Sequence, residues 1–432
     1  MNVFYNEKHC DPYKLHFNED NMDYICYYDN SIILDVIDTF YSICYLDFYT
    51  KRNENNDNSK LLSIEIPVNN KIQLDRIKPE LESLLQFMTN GEKFNISFIE
   101  KTEEKKITMP NKLQLGIKYN SIALLSGGLD ALAGASQEKN NKTLFITYST
   151  NKVEKSKSIN SYDKYIRNYC QDSSHIIIPK VNLNQKNQLT QRTRSLAFIA
   201  SCLLYADYFK IKEIKIYENG IMTLNPVFYF RRRVTRTTHP KTIYLINKIL
   251  EKLDIDIKIV NPFNFMTKAD VLKLIPDEWN ELIFQTKTCS KMPGTKAFYN
   301  RNGLGINHCG ICAACILRQI SILNSTKNNL DAEYMTDSTI LNEEKILEIE
   351  KRFGYDKNEQ YLKSLAHYKF IEKKSLIDYY RIFAKKIDNG EIYNYLYLNP
   401  NYFKDTPDYV EKYDQMLKTF KKEIDIYIKH LE

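Results

Sequence analysis

Two short stretches of this sequence place reactive residue types at fixed spacing. The first is LLSGGLDALAG, residues 124–134, where Ser126, Gly127, Gly128 and Asp130 stand between an apolar run and a helix-forming run. Adjacent glycines let backbone N–H groups converge on an anion without Cβ atoms in the way. The helix that follows adds the positive end of its dipole. Ser126 can add a hydroxyl donor, and Asp130 can cap the helix or hold Mg²⁺ beside phosphates. Leu125 and Leu129 contribute backbone to the same loop. The spacing is not that of a Walker A loop, because G-x-x-x-x-G-K-[ST] is absent.

The second stretch is HCGICAAC, with Cys309, Cys312 and Cys315, and Cys289 lies upstream. Four thiolates satisfy tetrahedral Zn²⁺ with no position left for water, which makes a structural site. An iron–sulfur cluster also takes four cysteines at such spacing. His308 adjoins the cluster, and four cysteines leave it no place as a ligand. In a large chain of this kind, clustered cysteines indicate metal rather than disulfides.

The elements around these stretches predict an α/β fold. SIALL (121–125), TLFITYS (143–149), HIIIP (175–179), EIKIYE (213–218) and IKIVNP (257–262) read as buried strands, and residues 189–209 read as a helix. Strands alternating with helices form a parallel sheet covered on both faces. Ligands gather at the carboxyl ends of such strands. That edge receives the glycine loop, Tyr148 and Ser149 at the end of the second strand, and Glu218 and Asn219 at the end of a later one. Thr267-x-x-Asp270 reads as a capping box that starts a helix at Lys268, a candidate phosphate or carboxylate contact. Arg194 sits near the start of the apolar helix, and Arg231, Arg232, Arg233 and Arg236 precede His239. Arginines of this kind bind phosphate or carboxylate in bidentate fashion.

Residues 1–115 contain short β-type runs (YICYYD, LLSIEIPV, KFNISFIE) among polar loops and form an accessory domain without a motif that carries chemistry. Residues 116–325 form the ligand-binding domain, and 326–432 form a helical region. A chain of 432 residues predicts two or three domains. Hydrophobic residues make up 43%, enough for a core, and the net charge of +7 permits an anionic ligand without requiring nucleic acid. No apolar run has membrane-spanning length, and the N-terminus lacks an apolar stretch of signal-peptide type. A cytoplasmic location is expected.

The glycine loop resembles the SGGxDS pyrophosphate loop of ATP pyrophosphatases, with Ala131 where a final Ser or Thr is usual. Those enzymes cleave ATP between its α- and β-phosphates. With C…C-x2-C-x2-C-x-x-R ending at Arg318, MTKAD (266–270) and RTRSLAF (192–198), residues 120–320 are similar to the 7-cyano-7-deazaguanine synthase (QueC) family. The resemblance implies a Rossmann-like, adenine nucleotide alpha hydrolase-like sheet that binds ATP and Mg²⁺, with adenine near Tyr148 and Ser149. It also implies zinc on the four cysteines. Ser126, Asp130, Arg194 and Lys268 are then expected to act on phosphates, and Glu218, Asn219, Arg236 and His239 on substrate.

The family's SGYPDCR-like stretch is replaced here by ENGIMTLNPVFYFRRRVTRTTHPK (218–241). With LDALAG, ENG, NP and RTTHP, the chain looks more like the QatC-type proteins of bacterial anti-phage operons. That branch implies adenylation of a 7-deazaguanine carboxylate and its transfer to the N-terminal amine of a partner protein. Three alternatives stand beside it: a nitrile synthase using ammonia, a tRNA-modifying enzyme of the same superfamily, and a scaffold without chemistry.

Overall fold

The computed structural model describes residues 25–28, 30–49, 61–101, 107–110, 118–149, 166, 168–170, 173–179, 192–226, 236–289, 308–331, 334, 342–353 and 358–431. Its centre is a five-stranded parallel sheet made of β5 (Ser121–Leu124), β6 (Thr143–Ser149), β7 (Ser174–Pro179), β8 (Glu213–Lys215) and β9 (Lys258–Val260), in the order β7-β6-β5-β8-β9. The chain runs outward from β5 through β6 to β7, then returns to lay β8 on the other side of β5. The strand order therefore reverses between β5 and β8, and such a reversal opens a crevice outside the carboxyl ends of the strands.

Side chains alternate along each strand. Ile122, Leu144, Ile146, Ile214 and Ile259 face one side, where helices α4 (Arg194–Tyr208) and α6 (Pro240–Lys252) cover them. Ala123 and Phe145 face the other side, beneath α3 (Leu129–Gln137), α7 (Lys268–Lys273) and the short α8 (Asn280–Ile283). Both faces are apolar because both are buried, as a parallel sheet requires. The α/β class read from the sequence is present, with helices on both faces.

The N-terminal runs form a second layer system. Strands β2 (Leu61–Val68) and β3 (Lys93–Glu100) pair in parallel around α2 (Lys71–Met88), and β1 (Ile25–Tyr28) pairs antiparallel with β4 (Ile107–Pro110). Helix α1 (Ser31–Tyr49) lies between this unit and α4 and is buried nearly all round. Three aspartates on α1 lock the layers together. Asp35 accepts the Asn69 and Asn70 amides at 2.9 and 2.7 Å, and Asp38 pairs with Lys101 at 2.7 Å. Asp47 accepts the amide and hydroxyl of Thr193, both at 2.9 Å, at the start of α4. One apolar cluster runs from α1 and α2 through to the sheet.

The C-terminal part is helical, as its periodicity predicts: α10 (Glu343–Phe353), α11 (Glu359–Asp388) and α12 (Tyr409–Leu431). Helices α11 and α12 share a cluster with the short α5 (Gly220–Leu224) and with α9 (Ala313–Leu323), which begins inside the cysteine stretch. Among the described residues, no helix is long and apolar enough to cross a membrane.

Candidate functional site

The glycine loop sits at the switch point. Leu125 extends β5 with one more bond to Ile146, its amide donating at 2.9 Å. At Gly127 the backbone turns to φ +77°, a left-handed conformation that a side chain would strain. Gly128 then enters α3 in extended geometry, with no side chain capping the first turn. The first amides of α3 thus have no side-chain partner, the arrangement that receives anions. Ser126 is exposed at the rim, and its Oγ accepts weakly from the Gly128 amide at 3.4 Å.

Below the loop lies a buried charge network. Lys268 Nζ donates to Asp130 Oδ1 at 2.6 Å, and Asn219 Nδ2 donates to Asp130 Oδ2 at 2.8 Å. Asn219 also caps α5 through the Met222 amide at 3.1 Å and reaches Glu218 Oε1 at 3.3 Å. Burial alone would raise the Asp130 carboxyl. The Lys268 charge and hydrogen bonds from Glu218, Lys268 and Asn219 outweigh burial and hold it low. Glu218 moves the other way, pushed well above the carboxylate range by burial and by the Asp130 charge, with Lys268 opposing. The two acids share one site, so one keeps its proton.

Of the capping box expected at the start of α7, the N-cap half is present, with the Asp270 amide donating to Thr267 Oγ1 at 3.1 Å, while the Asp270 carboxylate takes Lys273 at 2.9 Å. Thr267 also donates to Glu423 Oε1 on α12 at 2.5 Å. Burial pushes Glu423 up to about 8, and its Oε2 is buried without a partner.

Two groups form among the described sequence candidates. Ser126, Gly127, Gly128, Asp130, Glu218, Asn219 and Lys268 converge at the carboxyl ends of β5 and β8. Arg236 and His239 lie in a joint between the three parts of the chain. The Arg236 guanidinium stacks between the rings of Phe87 and Tyr397 at 4.5 and 4.6 Å and donates to the Phe87 carbonyl at 3.2 Å. His239 caps α6 by accepting from the Lys241 amide at 3.0 Å, and its Nε2–H donates to the Leu396 carbonyl at 2.9 Å. Burial lowers its pKa to about 3, so the ring is neutral. Both residues are occupied with packing. Arg194 is exposed and lies over the Phe198 ring at 5.0 Å. Tyr148 and Ser149 end β6 opposite Ile178 and Pro179, but their side chains lie outside the described residues, as do Arg231, Arg232 and Arg233. Ala131 is buried in the apolar cluster under the sheet, where its methyl group packs.

The four cysteine sulfurs all lie within 4.8 Å of one another, and the Cys309–Cys315 and Cys289–Cys312 pairs are 3.9 Å apart. None is in a disulfide. A single tetrahedral ion with bonds of about 2.3 Å requires edges of about 3.8 Å. An iron–sulfur cluster puts several atoms between its thiolates and would spread them further. The four cysteines can hold one metal ion. Mutual hydrogen bonding, led by Cys289, pushes the thiols of Cys309 and Cys315 up, and a cation at the centre would relieve this. His308 is fully buried, accepts from the Thr288 amide at 3.3 Å and is not among the grouped ligands.

Arg318 closes the cysteine motif, but its contacts, like those of Glu138, are not displayed by local spacing. Arg318 is fully buried and donates to Asp331 at 2.7 Å, to Thr286 and Thr288 hydroxyls at 2.6 and 3.2 Å, and to the Ile283 carbonyl at 3.0 Å. The sequence signal is an arginine in an otherwise apolar helix, AACILRQISIL. Glu138 ends α3 and gathers Thr143 at 2.6 Å, Asn141 at 2.7 Å, Lys215 at 2.8 Å and the Tyr217 hydroxyl.

No protein-family model, curated protein or solved structure matches this chain.

Proposed function

We propose that this protein is an AMP-forming, ATP-dependent enzyme of the QueC-like kind. It activates a 7-deazaguanine carboxylate and passes the acyl group to the terminal amine of a partner protein. The reading rests chiefly on one observation: an uncapped helix N-terminus behind a left-handed Gly127, at the switch point of a parallel sheet, directly above the buried Lys268–Asp130 pair. The motif resemblance supplies the substrate class.

In this reading the loop amides and Ser126 hold the β- and γ-phosphates of ATP, with the sheet of the adenine nucleotide alpha hydrolase type. Asp130 and Glu218 are the carboxyl groups that would hold Mg²⁺, and the cation would neutralise charge on the phosphates. A carboxylate oxygen of the substrate attacks the α-phosphorus, and pyrophosphate leaves. Lys268, held below the loop by Asp130, adds positive charge on the side of the departing pyrophosphate. The amine nitrogen then attacks the acyl carbon, AMP leaves, and the nitrogen loses a proton to give the amide. A carboxylate alone is a poor electrophile, and adenylation supplies the leaving group. Zinc, when bound by Cys289, Cys309, Cys312 and Cys315, has a structural role.

The test is ATP and Mg²⁺ with 7-carboxy-7-deazaguanine, products separated by chromatography. AMP and pyrophosphate formed only when the carboxylate is present support the reading. ADP formation, or turnover indifferent to the carboxylate, contradicts it.

A further inference from the structure

The segment between α8 and Cys289 touches the metal site, the buried arginine and the glycine loop within four residues. The Lys287 amide donates to the Gly127 carbonyl at 3.1 Å. The Lys287 carbonyl lies 4.0 Å from where a Gly128 Cβ would stand, so this strand of backbone forms the loop's second wall. On either side of Lys287, the hydroxyls of Thr286 and Thr288 accept from the Arg318 guanidinium. The Thr288 amide is held by His308, next to Cys309, and the following residue is Cys289 itself.

The geometry points to the 286–289 segment as a strut through which the metal knuckle sets the conformation of the glycine loop. Side chains at 286 and 288 are pinned from below, the backbone at 287 faces the loop, and the thiol at 289 is tied to the metal site. Gly127 and Gly128 are the loop residues that no side chain restrains, and a hydrogen bond to the Gly127 carbonyl fixes the peptide that presents the Gly128 amide. Without a metal, Cys289 loses its tether, the strut loosens at one end, and the loop samples conformations that no longer converge on an anion. Lys287, Thr286, Thr288 and Arg318 are thus positioning residues. That the anion is a nucleotide phosphate rests on the function proposed above, whereas the mechanical coupling does not.

Amide hydrogen exchange of the full chain, read by mass spectrometry, tests this. Removing zinc with a chelator is expected to speed exchange in peptides covering 126–130 by at least fivefold, reversed on adding zinc back. Peptides from α1 and α12 should be unchanged. Faster exchange at 286–289 and 309–315 with 126–130 unmoved overturns the coupling. Should zinc removal unfold the whole chain, the Thr286→Val/Thr288→Val protein keeps the metal, verified by zinc content, and decides the matter. Faster exchange at 126–130 supports the strut, and wild-type exchange there overturns it. ATP titration of the same proteins separates the two readings. A tenfold weaker affinity in the threonine variant supports a nucleotide loop positioned by the strut. No ATP binding by the wild-type protein removes the nucleotide reading and leaves the exchange result standing.

Discussion

Lys268 and Asp130 form a buried ion pair, Nζ to Oδ1 at 2.6 Å, that joins the first turn of α7 to the first turn of α3. Their residues lie far apart in sequence and meet only because both helices start at the carboxyl edge of the sheet. Removing one partner leaves the other charged and buried, which costs about 3–5 kcal/mol. Lys268→Met and Asp130→Asn should each lose that much in urea melts. The double variant should recover part of it, because no lone charge remains. Additive losses would show that the pair is not coupled.

Gly134 lies against the ring of Tyr217, and a Cβ there would sit 2.1 Å from a ring carbon. The ring cannot swing away freely, because its hydroxyl is held by Glu138. Gly134→Ala is therefore expected to destabilise by about 1–3 kcal/mol through overpacking, despite the better helix propensity of alanine. A stabilised variant would mean that α3 packs differently.

Glu423 predicts a pH dependence. Its pKa in the folded state is about 8, above the ordinary glutamate value, so the folded chain binds the extra proton. Stability attributable to this group is greatest at acidic pH and falls as the pH rises toward 8, then levels off. Glu423→Gln removes this dependence. The variant should gain on wild type between pH 5 and pH 8, by on the order of 3 kcal/mol. A constant difference across that range would refute the assignment.

The metal site predicts one zinc per chain by native mass spectrometry. Cys312→Ser should abolish stoichiometric binding, since three thiolates and a hydroxyl lose much of the affinity. Iron with inorganic sulfide in the purified protein would assign the site differently.

Several strands of both the central sheet and the N-terminal unit were legible as apolar runs. LLSIEIPV, KFNISFIE and TLFITYS coincide with β2, β3 and β6. Strand β8 stops at Lys215, short of the run EIKIYE, because the chain leaves the sheet to bring Glu218 and Asn219 under the loop. Helix α1 was hidden among expected β-type runs and loops. It is buried on all sides, so its apolar residues show no stripe, and its aspartates look like surface residues until Asn70, Lys101 and Thr193 are seen beside them. The expected boundary at 115 lies outside the described residues, and the apolar cluster crosses it.

The site was half legible. Glycines and cysteines announce themselves because their roles depend on residue type and local spacing. Arg236 and His239 stand in a motif that suggested a ligand, yet their partners are Phe87, Leu396 and Tyr397, which no local pattern connects to them. Arg318, Lys287 and Glu423 act through contacts distant in sequence, and a single sequence does not display those.

The central claim is transfer of an activated carboxylate to a protein amine. The most direct measurement combines the protein, ATP, Mg²⁺ and 7-carboxy-7-deazaguanine with each protein encoded beside this gene, and separately with ammonium. AMP release and the intact mass of every protein are read together. The account predicts AMP release with a mass gain on one neighbour, equal to the deazaguanine acid less water. Nitrile formed with ammonium and no protein gaining mass, or no AMP under any condition from zinc-loaded, folded protein, would contradict it.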